Sequence, residues 1–221
     1  MSLFLTYDAE NYEYILKPLG YAALAFIFAI LLLAIAALAR KGATRRMRTK
    51  ELVFCAMAMA LATVTSYIKL ASLPYGGSIT LFSMLFITII GYFYGAKTGL
   101  ITGAAYGILQ LITGPYIYAH LQVLLDYPLA FGALGLSGFF CRRKHGLVIG
   151  YIVGVIGRYI CHVISGYVFF AEYAPEGMNP MVYTLGYNLT YILPEMIVTA
   201  VLLCIPVVAK AIGQVKKQAN E

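Results

Sequence analysis

The sequence predicts an all-α polytopic membrane protein, and three observations carry that reading. Hydrophobic residues make up 62% of the 221 and charged residues only 11%, where soluble domains carry roughly 25% charged residues. Apolar runs long enough to cross a ~30 Å hydrocarbon core as helices recur from end to end. The basic residues fall in clusters at every second gap between those runs. A membrane β-barrel would need short alternating strands with polar inward faces, and the sequence lacks them.

Seven spans are expected, at 20–39, 51–70, 79–95, 98–114, 122–141, 147–170 and 181–208. The first follows an acidic lead containing Asp8, Glu10 and Glu13 and precedes a basic stretch, 40–50 (R-K-G-A-T-R-R-M-R-T-K). Ala37-Leu38-Ala39 resembles a cleavage site, but these flanks are those of a retained anchor with a stop-transfer sequence. Residues 1–50 therefore form an anchor and linker, and 51–221 one compact membrane domain of six spans. The second span carries Ala56 and Ala60, a small-xxx-small pair, with Ala58 and Ala62 offset by two. Small residues let helices approach closely in a membrane, either inside this chain or against a partner. Two turn-rich connections, 71–78 (A-S-L-P-Y-G-G-S) and 171–180 (A-E-Y-A-P-E-G-M-N-P), fall on the same side of the bilayer.

The formal net charge of +7 is no nucleic-acid footprint, because of where it sits. Arg40, Lys41, Arg45, Arg46, Arg48 and Lys50 follow the first span, Lys97 separates the third and fourth, Arg142, Arg143 and Lys144 follow the fifth, and Lys210, Lys216 and Lys217 close the chain. All lie on one side of a seven-span path, which the positive-inside rule makes cytoplasmic. The N-terminus is then outside and the C-terminus inside. Cys55, Cys141, Cys161 and Cys204 sit in or at the ends of spans without disulfide or zinc spacing. No phosphate-binding loop G-x-x-x-x-G-K-[ST] is present, and no internal repeat of the kind that builds inverted-half transporters.

The polar residues of the late spans are the chemical signal. Asp126 lies inside an apolar run, where an ionised group costs at least ~2.5–3.5 kcal/mol and needs a partner, either a cationic side chain such as Arg158 or a cationic ligand. Gln122 is one turn before it, on the same face, and Tyr127 and Pro128 follow; the proline removes a backbone donor and disturbs the helix. Arg158, His162, Gly166 and Phe170 recur every fourth position and share a face. Gly166 allows a flat ligand or a neighbouring helix to approach the backbone. Tyr183, Tyr187 and Tyr191 are likewise four apart, with Asn188 and Glu195 near the same side. Carboxylate, imidazole, amide, phenol and aromatic faces together suit a small aromatic cation, since aromatic faces attract cations by ~0.5–2 kcal/mol each. Taken singly, His162 is more often a satisfied interhelical histidine than a ligand contact, and Tyr183 reads as an interfacial anchor. Glu195 is placed deeper, outside the pocket, in helix packing or partner contact.

Three blocks carry a resemblance: Leu124–Phe131 (L-L-D-Y-P-L-A-F), the run from His162 (H-V-I-S-G-Y-V-F-F-A-E-Y-A-P-E-G-M-N-P) and that from Tyr187 (Y-N-L-T-Y-I-L-P-E-M). With G-G-S-I-T from Gly76 they resemble the thiamine-specific S component of energy-coupling-factor (ECF) vitamin transporters, over about residues 51–210. The resemblance implies a six-helix core binding one thiamine near its outer surface, with no cofactor and no ATPase of its own. It also implies docking onto a transmembrane coupling protein and two cytoplasmic ATPases in a bacterial cell membrane. The implied pocket is Tyr75, Asp126, Tyr127, His162, Gly166, Phe170, Tyr183 and Asn188, and the implied docking contacts are Ala56 and Ala60, with the larger Val64 at the third small position. Where the family pattern carries tryptophan this chain has Tyr75 and Phe170, and where it carries glutamate it has Asp126; the chain contains no tryptophan. The span 20–39 has no counterpart in a six-helix core. Other readings are an S component for another vitamin or a thiamine precursor, a membrane enzyme using Asp126 and His162 as acid and base, and a structural subunit.

Overall fold

A computed structural model describes residues 5–8, 13–19, 22, 47–73 and 77–221. The expected first span lies, but for Ala22, outside the described residues, as does Tyr75. The described architecture is mainly helical, with two short antiparallel hairpins that the sequence reading did not anticipate. Leu5–Asp8 (β1) pairs with Glu13–Leu16 (β2), and Lys69–Ser72 (β3) with Ser78–Thr80 (β4). The helices are α1 Thr49–Ser66, α2 Ser83–Tyr94, α3 Ala96–Thr113, α4 His120–Phe140, α5 Gly146–Phe169, α6 Pro180–Cys204 and α7 Pro206–Asn220.

Several boundaries differ from the expected spans for local reasons. The span expected over 51–70 is helical only to Ser66. Thr63, Thr65 and Ser66 turn their hydroxyls back onto the carbonyls of Met59, Leu61 and Thr63, which competes with the helical ladder. The chain then enters β3 at Lys69. The span expected over 79–95 shortens to α2, whose N-cap Phe82 takes a left-handed backbone (φ 59°). Its 12 residues reach about 18 Å at 1.5 Å per residue, well short of a ~30 Å core. β4 leads into this short helix through Leu81 and Phe82.

The last span, expected over 181–208, ends at Cys204. Pro206 cannot continue the ladder, and the residue before a proline is pushed to extended backbone; Ile205 has φ −67° and ψ 121°. Pro206 then opens α7 at its first turn, where its missing N–H is not needed. At the other end of α6, Asn179 Oδ1 accepts from Met181 N at 2.8 Å and Pro180 takes the first helical position, a strong local start signal.

Within α4 the disturbance expected at Pro128 takes the form of a π turn over Leu125–Leu129, followed by a 3₁₀ stretch over Leu134–Phe140. α3 packs against this irregular helix backbone to backbone. A side chain at Gly103 or Gly107 would run into the carbonyls of Phe131 and Tyr127. The core formed around these contacts buries Tyr106, Tyr151, Ile87, Leu134 and Val155 completely. The buried phenol of Tyr106 donates to the Ala62 carbonyl at 3.0 Å and accepts from Gln110 at 2.6 Å.

Large apolar side chains face outward along α1 (Leu52, Met57, Leu61, Val64), α5 (Ile156, Ile160, Ile164) and α6 (Val182, Val198, Val201). An apolar surface of that extent belongs against lipid. Among the described residues four helices are long and apolar enough to cross a membrane: α1, α4, α5 and α6. The helices alternate in direction, so the chain has two distinct ends. At one end α7 straps the bundle: Arg48 Nη1 donates to Asn220 O, Tyr94 Oη to Ala219 O, and Lys216 Nζ to Cys141 O at 2.6 Å. Lys216 also sits 3.5 Å from the centroid of the Tyr92 ring. This is the end that gathers Arg48, Lys50, Lys97, Arg142, Arg143 and Lys144.

The contact of α3 with the π turn yields one expectation. Gly107→Ala should lower the thermal midpoint in detergent, by an amount on the scale of overpacking, about 1–3 kcal/mol. A midpoint equal to that of the parent would contradict backbone-to-backbone packing at Tyr127.

Candidate functional site

A cavity of about 360 Å³ opens at the end of the bundle opposite the basic cluster. That volume lies within the ~300–1,000 Å³ usual for small-molecule sites. Its walls come from the ends of six helices and the hairpin: Ser66 of α1, Thr80 beyond β3, Met84 of α2, Gln110 of α3, Asp126 of α4, His162 of α5 and Asn188 of α6 all reach it. The short α2 is what makes room, since its first residues form part of the wall.

Asp126 sits in the π turn and is held by three donors. Gln122 Nε2 reaches Oδ2 at 2.7 Å, Ser165 Oγ reaches Oδ2 at 2.9 Å, and His162 Nδ1 lies 3.0 Å from Oδ1. The side chains of His162 and Asp126 are only 13% and 15% exposed. The one-face reading of Gln122 and Asp126 therefore holds. Arg158 is linked to Asp126 through the imidazole: its Nε donates to His162 Nε2 at 3.2 Å. A guanidinium only donates, so Nε2 of the ring is the acceptor and the proton is on Nδ1, aimed at Asp126. The direct Asp126–Arg158 pair considered from sequence is replaced by this three-residue chain, in which His162 meets Asp126 through a hydrogen bond. The Arg158 guanidinium also stacks 4.0 Å from the centroid of the Phe131 ring, which Tyr106 meets edge-on at 4.9 Å.

α6 supplies the opposite wall. Tyr183, Tyr187 and Tyr191 form a ladder with ring centroids 5.9 and 6.0 Å apart, as their four-residue spacing requires. His162 lies edge-on to Tyr191 at 6.2 Å. Asn188 is buried and braced: its Oδ1 accepts from Tyr191 Oη at 2.6 Å, while its Nδ2 donates to the carbonyls of Thr184 at 2.9 Å and His162 at 3.4 Å. Gly166 is needed because α6 approaches α5 there; a Cβ would sit 2.5 Å from Thr184 Cγ2. Tyr127 Oη accepts from Tyr116 N at 2.8 Å and so pins the α3–α4 connection. Phe170, one residue past α5, is surrounded by Tyr116, Tyr118 and Tyr173 at ring distances of 6.0, 5.2 and 6.0 Å.

Of the residues singled out from sequence, Asp126, Tyr127, His162, Gly166, Phe170, Tyr183 and Asn188 all line this one cavity. Tyr75 lies outside the described residues, while Gly77 and Ser78, shortly after it in the chain, do line the cavity. Ala56 and Ala60 are on the exposed face of α1, while Ala58 and Ala62 are buried. One placement is corrected: Glu195, assigned outside the pocket, lines it and is only 5% exposed. It continues the tyrosine stripe of α6 by one more turn, and that spacing was the available signal. Ser165, three residues after His162, was also missed. Among the described residues no cluster of His, Cys, Asp and Glu has the geometry to hold a metal ion.

A bundle of membrane-spanning helices with one polar, aromatic-walled cavity at its end defines a membrane subunit that binds a small solute. The chain belongs to the thiamine transporter protein family, whose model matches residues 52–213, and it is a transport subunit, not an enzyme. The thiamine transporter ThiT of Bacillus subtilis is 38% identical over 148 residues, covering 61% of this chain and 77% of that protein. ThiT of Lacticaseibacillus paracasei is 31% identical over 155 residues, covering 62% and 74% respectively. A solved structure of ThiT from Listeria monocytogenes aligns with a TM-score of 0.59 at 26% identity, over 72% of this chain and 96% of that one.

The α5–α6 contact at the cavity generates a paired expectation. Gly166→Ala should destabilise the protein by about 1–3 kcal/mol through overpacking, and adding Thr184→Ala, which removes the opposing methyl, should recover part of the loss of thermal midpoint. A single variant as stable as the parent would mean that the two helices do not meet there.

Proposed function

We propose that the cavity binds one thiamine from the outer side of the membrane and that the chain works as the S component of an ECF-type, ATP-driven importer. The observation that supports this most is Asp126, a carboxylate within a bilayer-length helix that faces a polar cavity with aromatic walls. Thiamine is a permanent cation with two flat rings. A carboxylate offsets its charge or bonds its aminopyrimidine, and aromatic faces favour it further. In this reading Phe170 and the hairpin residue Tyr75 stack on the rings, while Asp126, Tyr127, His162, Tyr183 and Asn188 fix orientation and Gly166 keeps the wall narrow. The tyrosines around Phe170 widen the aromatic surface that a phenyl ring alone offers.

The remaining assignments follow the two ends of the molecule. The basic end, with α7, faces the cytoplasm by the positive-inside rule, which puts the cavity and the hairpin outside and the N-terminus outside as well. The exposed face of α1, where Ala56 and Ala60 leave a shallow strip beside Val64, is the surface that meets the transmembrane coupling protein, since small residues permit close helix approach. ATP hydrolysis is then the work of separate cytoplasmic subunits. Residues 1–50 form an anchor and linker separate from the binding domain at 51–221.

Isothermal titration of thiamine into ligand-stripped, detergent-purified protein tests the ligand assignment. One site per chain is expected. Asp126→Asn, which keeps the side-chain shape but removes the charge, should weaken binding by about ten- to hundredfold, the scale of a charged hydrogen-bond partner. Unchanged affinity in a folded Asp126→Asn protein would remove Asp126 from this role. No heat with thiamine would redirect the substrate assignment to another vitamin or precursor.

A further inference from the structure

We propose that Glu195 is a positioning residue that latches the hairpin side of the cavity to α6 and thereby sets how slowly a bound ligand leaves. The inference rests on the ligand reading above and adds a residue that acts on the wall instead of on the ligand.

The geometry is specific. Oε2 of Glu195 accepts from Thr80 N at 3.0 Å and from Thr80 Oγ1 at 2.9 Å, and Oε1 accepts from Met84 N at 3.5 Å. All three donors lie within the five residues 80–84, where β4 passes into α2. The hydroxyl of Thr80 is spent on the carboxylate, so in its 2.6 Å contact with Ser83 Oγ the serine is the donor. The chain of donors runs Ser83 to Thr80 to Glu195 and ends on a group that can only accept. Met84 is the second residue of α2, where backbone N–H groups have no partner within the helix and a negative charge is favoured. α2 has no side-chain cap of its own, its N-cap being Phe82 in a left-handed conformation. Glu195, more than a hundred residues away in the chain, supplies the missing acceptor.

A second tie lies nearer the hairpin tip. Gly77 N donates to Tyr187 Oη at 3.3 Å, and Tyr187 is on the same stripe of α6 as Glu195. The hairpin is thus fastened to α6 at its base through Glu195 and near its tip through Tyr187. Gly77, Ser78, Thr80, Ser83 and Met84 are all cavity wall. For this wall to part from α6, the buried carboxylate must give up its donors, and a buried polar group left unpaired is costly. The step that separates wall from α6 is therefore slow while Glu195 is present.

The test uses the full chain with Glu195→Gln and Thr80→Val, singly and together. The amide of glutamine sets a donor against Thr80 or Met84, and valine removes one donor while leaving Glu195 intact. Two readouts are needed: release of radiolabelled thiamine into excess unlabelled thiamine, and amide hydrogen exchange over residues 78–84 in the ligand-free protein. The expected result is release about tenfold faster in either single variant, the scale of one hydrogen bond. Association should be little changed, and exchange over 78–84 faster. The double variant should release no faster than Glu195→Gln alone, because coupled residues are not additive. Release at the parental rate in both single variants would overturn the proposal. So would weaker binding in Glu195→Gln with parental exchange and a parental Thr80→Val, since that pattern makes Glu195 a direct ligand contact. If the parent chain itself binds no thiamine, the ligand reading fails, and exchange over 78–84 unaltered by Glu195→Gln would then overturn the latch separately.

Discussion

A carboxylate in the middle of a bilayer-length helix has to be solvated by the protein, and the arrangement of α4, α5 and the cavity follows from how Asp126 is solvated. Gln122 comes from one turn earlier on the same helix, and Ser165 and His162 from the facing one. Three helices' worth of further contacts depend on these. His162 is oriented from its far side by Arg158, and Arg158 is seated on Phe131, which Tyr106 braces from within the core. The network neutralises neither the cavity nor the carboxylate by a direct arginine pair, so the acid remains available to a cation on the cavity side.

The second constraint is steric. α2 is too short to traverse the hydrocarbon core, and the volume above its first turn becomes cavity, walled by a hairpin in place of a helix. The first turn of α2 then has Met84 buried. A buried carboxylate from α6 accepts from Met84 N and from Thr80 at the end of β4, so a second acid stands at the base of a site that already has one. The two acids thus do different work: Asp126 is held by side chains and looks into the cavity, while Glu195 is spent on the wall. The opposite end of the bundle shows the complementary pattern, with α7 and the basic residues closing it.

Much of this was legible in the sequence because helical periodicity is local. The four-residue spacings of Gln122 with Asp126, of Arg158, His162 and Gly166, and of Tyr183, Tyr187 and Tyr191 place those groups on common faces without knowledge of the fold. The spans, the one-sided basic residues and the blocks shared with the thiamine transporter family supplied the architecture and the ligand. What was hidden depends on where helices stop. Nothing in L-F-S-M announces a left-handed Phe82, so the helix expected from 79 begins only at Ser83. Glu195, expected too far toward the cytoplasmic half, lies on the tyrosine stripe and lines the cavity. The strands of the β3–β4 hairpin, four and three residues long, are too brief for an alternating pattern to show. Ser165 falls outside the four-residue repeat from Arg158, yet three residues after His162 it shares that face.

The account stands most directly on where thiamine sits relative to Asp126. A structure of the thiamine-bound protein should show one molecule in this cavity, its polar ring atoms within hydrogen-bond or ion-pair reach of the Asp126 carboxylate and a ring stacked on Phe170, with Glu195 still bonded to Thr80. Thiamine bound elsewhere on the molecule, or in the cavity with Asp126 turned away from it, would contradict the claim that this buried carboxylate receives the ligand.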